Sequence, residues 1–146
     1  MSLNDWLGNG WLTEHTTSPH EVADLLAVCD RDLRDCRLPA LSPDWRFGIA
    51  YNAALQAATL ALTVAGYRAG REAHHYRALQ SLAHTIGLEP ALVRRLDAFR
   101  KKRNIGEYEA AGQISDQEAG EMADLAADLR RRVEGWIRAT RPELLP

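Results

Sequence analysis

The stretch "IAYNAALQAATLALTVA", residues 49–65, is the longest apolar run in the chain. It is rich in alanine and interrupted by Asn52 and Gln56. At 17 residues it is slightly too short, and with two amides too polar, to span a bilayer. A helix buried inside a protein explains it better, and no membrane is expected. Ala50, Ala54, Ala57, Ala58, Ala61 and Ala65 recur at helical spacing. Such a stripe of small side chains lets neighbouring helices come close, so this element is expected to be central. "SPDW" at 42–45 supplies its start, with Ser42 as the cap and Pro43 in the first turn, and Gly66 supplies a stop.

Helix signals continue on both sides. "SPHE" at 18–21 reads as a capping box, and the helix it opens runs to about Cys36 with Val22, Leu25, Leu26, Cys29 and Leu33 on one face. "GYRAG" at 66–70 leads to a helix over about 71–86, on which His75, Leu79, Leu82 and Ile86 share a face before Gly87. Pro90 opens another, striped by Leu92, Leu96 and Phe99. "SDQE" at 115–118 starts the last, which runs to about Ala139 with Met122, Leu125, Ala126, Leu129, Val133, Trp136 and Ile137 inward. No strand-period alternation and no repeat is visible. The expectation is all-α: one domain over 1–146, an up-and-down bundle of four or five helices at 18–139. Residues 1–17 form an N-terminal extension whose Trp6 and Trp11 pack over one end, and 140–146 a loose tail.

Net charge is −2, so no global basic field draws in nucleic acid, and phosphate binding needs a local patch. Sixteen of the eighteen cations are arginine, which can fork onto phosphate. Cys29 and Cys36, seven apart on one helix, stand too far apart to bridge each other, which suits a reducing compartment. "MSLNDWLGNG" lacks the basic and apolar regions of a signal peptide, so a cytoplasmic location is expected.

The patch lies in "AFRKKRNIGEYEAAG", 98–112; six of the ten residues from Arg94 to Arg103 are basic. Steps of four, three and four from Leu92 reach Leu96, Phe99 and Arg103, so Arg103 extends the apolar stripe while Arg94, Arg95, Arg100, Lys101 and Lys102 mostly fall off it. A cation on an inward face is costly unless it is paired or looks into a cleft. The plain alternative is a solvated helix end whose cations suit the macrodipole. In "RNIGEY", Arg103, Asn104 and Tyr108 stand close together.

The chain here resembles the HEPN domains, cytoplasmic four- or five-helix bundles whose signature is an Arg, a polar residue, a short variable run and a His. "RNIGEY" matches with Tyr108 in the place of the His, "YNAALQAATLALTVAGYR" at 51–68 is similar to the family's Ala-rich helix, and "HHYRALQSL" at 74–82 to the helix after it. The resemblance covers roughly 40–140. It implies a homodimer, an RNA or nucleotide ligand, metal-independent RNA cleavage and, in the toxin branch, a nucleotidyltransferase antitoxin as partner. Carried over by position, the site is Arg103, Asn104 and Tyr108, with Arg100, Lys101 and Lys102 beside Arg103 as ligand-binding cations. A phenol titrates near 10 against about 6.5 for His, so Tyr108 is a poor base, and acid–base catalysis normally gives a factor of roughly 10²–10⁴.

Three readings follow. One is a HEPN-like protein that binds RNA or a nucleotide phosphate through Arg103 and Asn104, with weak or no nuclease activity. Another is an active metal-independent ribonuclease of a toxin–antitoxin system. The last is a non-catalytic interaction bundle in which Arg103 pairs with an acid such as Glu107 or Asp44. No cofactor motif appears: no P-loop, no G-x-G-x-x-G, no G-x-S-x-G. No metal spacing such as H-x-x-x-H occurs either. His75 reads as a half-buried structural residue, His84 as exposed, His15 and His20 as solvated, and the cysteines as core.

Overall fold

The structure, a computed structural model, describes residues 1–108 and 112–146, and describes side chains outside 105–111. It is mostly helical. In chain order come α1 (Leu3–Gly8), β1 (Leu12–Glu14), α2 (Pro19–Asp35), α3 (Pro43–Val64), β2 (Tyr67–Ala69), α4 (His74–Gln80), α5 (Pro90–Tyr108) and α6 (Asp116–Thr140), with 3₁₀ turns at Ser81–Ala83 and Pro142–Leu144.

The Ala-rich helix is the centre. Thirteen residues of α3 are buried, from Phe47 to Val64, including Ala50, Ala53, Ala54, Ala57, Ala58 and Ala61. It packs most extensively against α6 and α2. By length and composition Pro43–Val64 could cross a membrane, so residues 49–65 alone do not settle the matter as the sequence argument held. In the structure 72% of that apolar window lies inside the protein, as in a core helix.

The start signals act as their chemistry requires. Ser42 and Ser115 accept from the backbone N–H groups of Trp45 and Glu118, and Ser115–Glu118 closes a full capping box. At Ser18 only half of the expected box forms. Ser18 accepts from the N–H of Glu21, but the Glu21 carboxylate turns away to accept from Thr17 Oγ1 at 2.6 Å and to meet His15 Nε2 at 2.8 Å. His15 is therefore half-buried in an ion-pair cluster instead of solvated. Gly66 and Gly87 adopt φ of 101° and 68°, the left-handed stops that end α3 and the 81–86 segment.

Four expectations need correction. The chain does contain strands: β1 and β2 pair antiparallel, Leu12 opposite Ala69 and Glu14 opposite Tyr67. Three-residue strands are too short for alternation to show. The N-terminal segment is more than an extension, because Trp6 and Leu12 bury against Leu62 in a second small core. Arg77 lies 3.6 Å from the Trp11 ring centroid and closes that core from above. The tail is not loose: Leu144 is buried in the main core, and Arg141 Nη1 donates to the Val64 carbonyl at 3.3 Å. Helix α4 is also shorter than the expected 71–86 span.

Two outcomes follow from this packing. Ala58→Leu should lower unfolding free energy by about 1–3 kcal/mol in urea titrations, because close-packed helices have no room for three more carbons. Ala91→Leu at an exposed position should change it by less than about 0.5 kcal/mol. The Glu21 carboxyl is held below its ordinary value of about 4.5, first by the Thr17 hydroxyl and then by His15, against the opposing effect of burial. A lowered folded value gives stability that is complete above about pH 4.5 and lost as pH falls through the folded value. A Glu21→Gln variant should show a flatter stability profile over that range in pH-dependent thermal unfolding.

Candidate functional site

Arg103 arrives where the stripe on α5 places it. With Leu96 and Phe99 buried below it, the side chain is half-buried at the inner edge of the bundle. It lines a cleft of about 830 Å³ between α2, the first half of α3 and α5. That volume is in the range of small-ligand sites. The guanidinium carbon lies 5.2 Å from the ring centroid of Tyr51, which is 1% exposed. Tyr51 thus forms an aromatic base beneath the cation. Its phenol is pushed up to about 12, chiefly by burial, with Arg103 and Arg100 pulling the other way. The Tyr51 hydroxyl has no hydrogen-bond partner among the described residues.

The opposite wall is polar. Asp32, 5% exposed, receives Asn52 Nδ2 on Oδ2 at 2.6 Å, and Arg31 Nε and Nη2 on Oδ1 at 3.2 and 3.1 Å. Both Asp32 and Asn52 line the cleft. Trp45 stands at the rim, 68% exposed, with Ile49 and Phe47 as apolar wall below it. Asp44 accepts from the backbone N–H groups of Gly112 and Ile114 at 2.6 and 3.3 Å, and so ties that segment to the first turn of α3. Asp44 is one of the two acids, with Glu107, that the sequence offers as partners for Arg103, and these backbone groups are what it engages here.

Four further cations of the cluster meet neighbouring acids. Arg100 donates to Asp97 at 2.8 Å and lies 5.4 Å from the Tyr76 ring; Lys101 reaches Asp97 at 3.4 Å; Lys102 pairs with Glu118; Arg95 reaches Glu121 at 3.5 Å. Asn104 is exposed and is not among the described residues lining the cleft. The asparagine that shares the cleft with Arg103 is Asn52. Helix α5 reaches Tyr108, but the side chains of Tyr108 and Glu107 lie outside the described residues.

The remaining candidates fall in structural places. His75 is half-buried with its ring 6.1 Å from Tyr51, and His84 is exposed with its ring edge-on to Trp6 at 5.2 Å. Cys29 and Cys36 are buried free thiols, and burial pushes Cys29 up to about 12 while its Sγ donates to the Ala53 carbonyl. Among the described residues no group of three or more His, Cys, Asp or Glu could hold a metal ion.

Sequence reasoning missed Asp32, Asn52 and Trp45 as members of this cleft, and Tyr51 as the ring beneath Arg103. Two signals existed. Asp32 follows Cys29 by three and so falls on the apolar face of α2, and Asn52 interrupts an Ala-rich buried helix. Nothing in the sequence distinguishes an exposed Trp45 from a packed one.

In chemical terms the cleft offers one fixed cation, an exposed indole for stacking, and an amide–carboxylate pair. No family model, curated protein or solved structure matches the chain.

Asp32→Ala should lower unfolding free energy by about 1–3 kcal/mol in chemical denaturation, since it strands the half-buried amide of Asn52. Asp32→Asn, which keeps an acceptor, should cost less.

Proposed function

We propose that the protein is a HEPN-like helical bundle that binds a nucleotide, free or at an RNA end, by its phosphate, with weak or no nuclease activity. The observation that carries this reading is Arg103 itself. A guanidinium stands half-buried over Tyr51 at the edge of a nucleotide-sized cleft, with Trp45 exposed at the rim. An arginine whose stem is packed loses little freedom on gripping an anion and forks onto two phosphate oxygens. Trp45 would stack the base.

The neighbouring ion pairs favour a nucleotide over a long RNA track. Asp97 and Glu118 already engage Arg100, Lys101 and Lys102, so the described cations leave no continuous basic path along α5. A homodimer that joins two such clefts is compatible with this reading, as is the sequence expectation of little cleavage with Tyr108 at the position of the His.

The test uses fluorescently labelled AMP and a labelled twelve-nucleotide RNA, titrated by anisotropy at several salt concentrations. Log affinity against log salt should fall with a slope of about −0.7 per phosphate contacted, so a slope near that of one or two contacts is expected for both ligands. Arg103→Ala should weaken binding about tenfold or more, and Trp45→Ala by a similar factor, with circular dichroism unchanged. Equal binding by wild type and Arg103→Ala would rule the reading out.

A further inference from the structure

A second cavity lies at the other end of α3, about 480 Å³ in volume, between α2, the last turns of α3, β2 and the start of α4. Seven residues separate Asn52 in the first cleft from Thr59 in this one, about 10 Å along the helix. We infer that this cavity is a binding site for a small monocarboxylate with an apolar body, such as a medium-chain fatty acid.

The floor is apolar. Leu62 and Ala78 are buried and Leu25 is partly so, and all three line the cavity. Water gains little there, and a hydrocarbon chain gains by leaving solvent. One residue with a hydroxyl is buried at the same wall: Thr63, 5% exposed, lines the cavity. Its hydroxyl can donate to an oxygen that enters.

The mouth carries the charge. Arg68 and Arg71 both line the cavity, against one carboxylate, Glu21. Glu21 is engaged first by Thr17 and His15, and Arg68 reaches it only at 3.8 Å. Arg71 is exposed and makes no ion pair among the described residues. Two guanidiniums facing one carboxylate leave one positive charge, which a single carboxylate would balance. Inorganic phosphate would balance it too but would leave the apolar floor empty. Between Arg71 and His74, Ala73 holds φ 54°, ψ 34°, a left-handed conformation that a residue with a Cβ rarely adopts. Strain of this kind persists where surrounding structure imposes it, commonly beside ligand sites.

The experiment is calorimetric titration of the full chain with octanoate, with 1-octanol and inorganic phosphate as probes that each carry one half of the chemistry. Octanoate should bind saturably at one site per chain, and octanol and phosphate at least about tenfold more weakly. Arg71→Ala, at an exposed position that leaves the fold intact, should weaken octanoate about tenfold. Thr63→Val, close to isosteric, should weaken it about threefold to tenfold. Arg103→Ala should leave it unchanged, which separates this site from the nucleotide cleft. Absence of octanoate binding, equal affinity in Arg71→Ala, or octanol binding as tightly as octanoate would each overturn the inference.

Discussion

The close approach of α2 and α6 to the alanine surface of α3 is the constraint on which the rest depends. Ala50, Ala54, Ala57, Ala58 and Ala61 are all buried to 1% or less exposure. Small side chains allow the backbones to come near. The polar residues of α3 differ in how they are accommodated, and Gln56 and Thr59 stay partly exposed in mid-helix. Asn52 meets Asp32 near the start, and Thr63 sits at the finish. The two cavities described above are lined by those polar residues, Asn52 in one and Thr63 in the other.

The basic cluster on α5 shows how a charge run and a site differ. Each of Arg100, Lys101 and Lys102 finds an acid one turn away or on α6, and surface pairs of that kind contribute little energy while cancelling field. Arg103 differs because the helical step from Phe99 turns it inward, over the ring of Tyr51. Position on the helix, more than local charge density, selects the residue that lines the cleft.

Much of the fold was legible from residue chemistry. The serine starts, the central alanine helix, the glycine stops and the inward turn of Arg103 all follow from local rules that act within one or two turns. The misreadings are of another kind. Position alone makes His15 a solvated residue, yet Glu21 abandons half of its capping box to reach it. Composition alone makes the tail loose, yet Leu144 finishes the core. The strands β1 and β2 stabilise each other across more than fifty residues of chain, and neither has a pattern alone.

By itself the sequence determined the helical class, the register of each amphipathic face and the identity of the inward arginine, because periodicity and capping are short-range and each residue carries its own preference. Only the tertiary structure decided which side chains share a cleft with that arginine. Asp32, Asn52 and Trp45, and the Tyr51 ring under the guanidinium, come from two helices far from it in the chain, and their meeting depends on how closely helices pack around a row of methyl groups. That distance is a collective property of the core, and no local pattern encodes it.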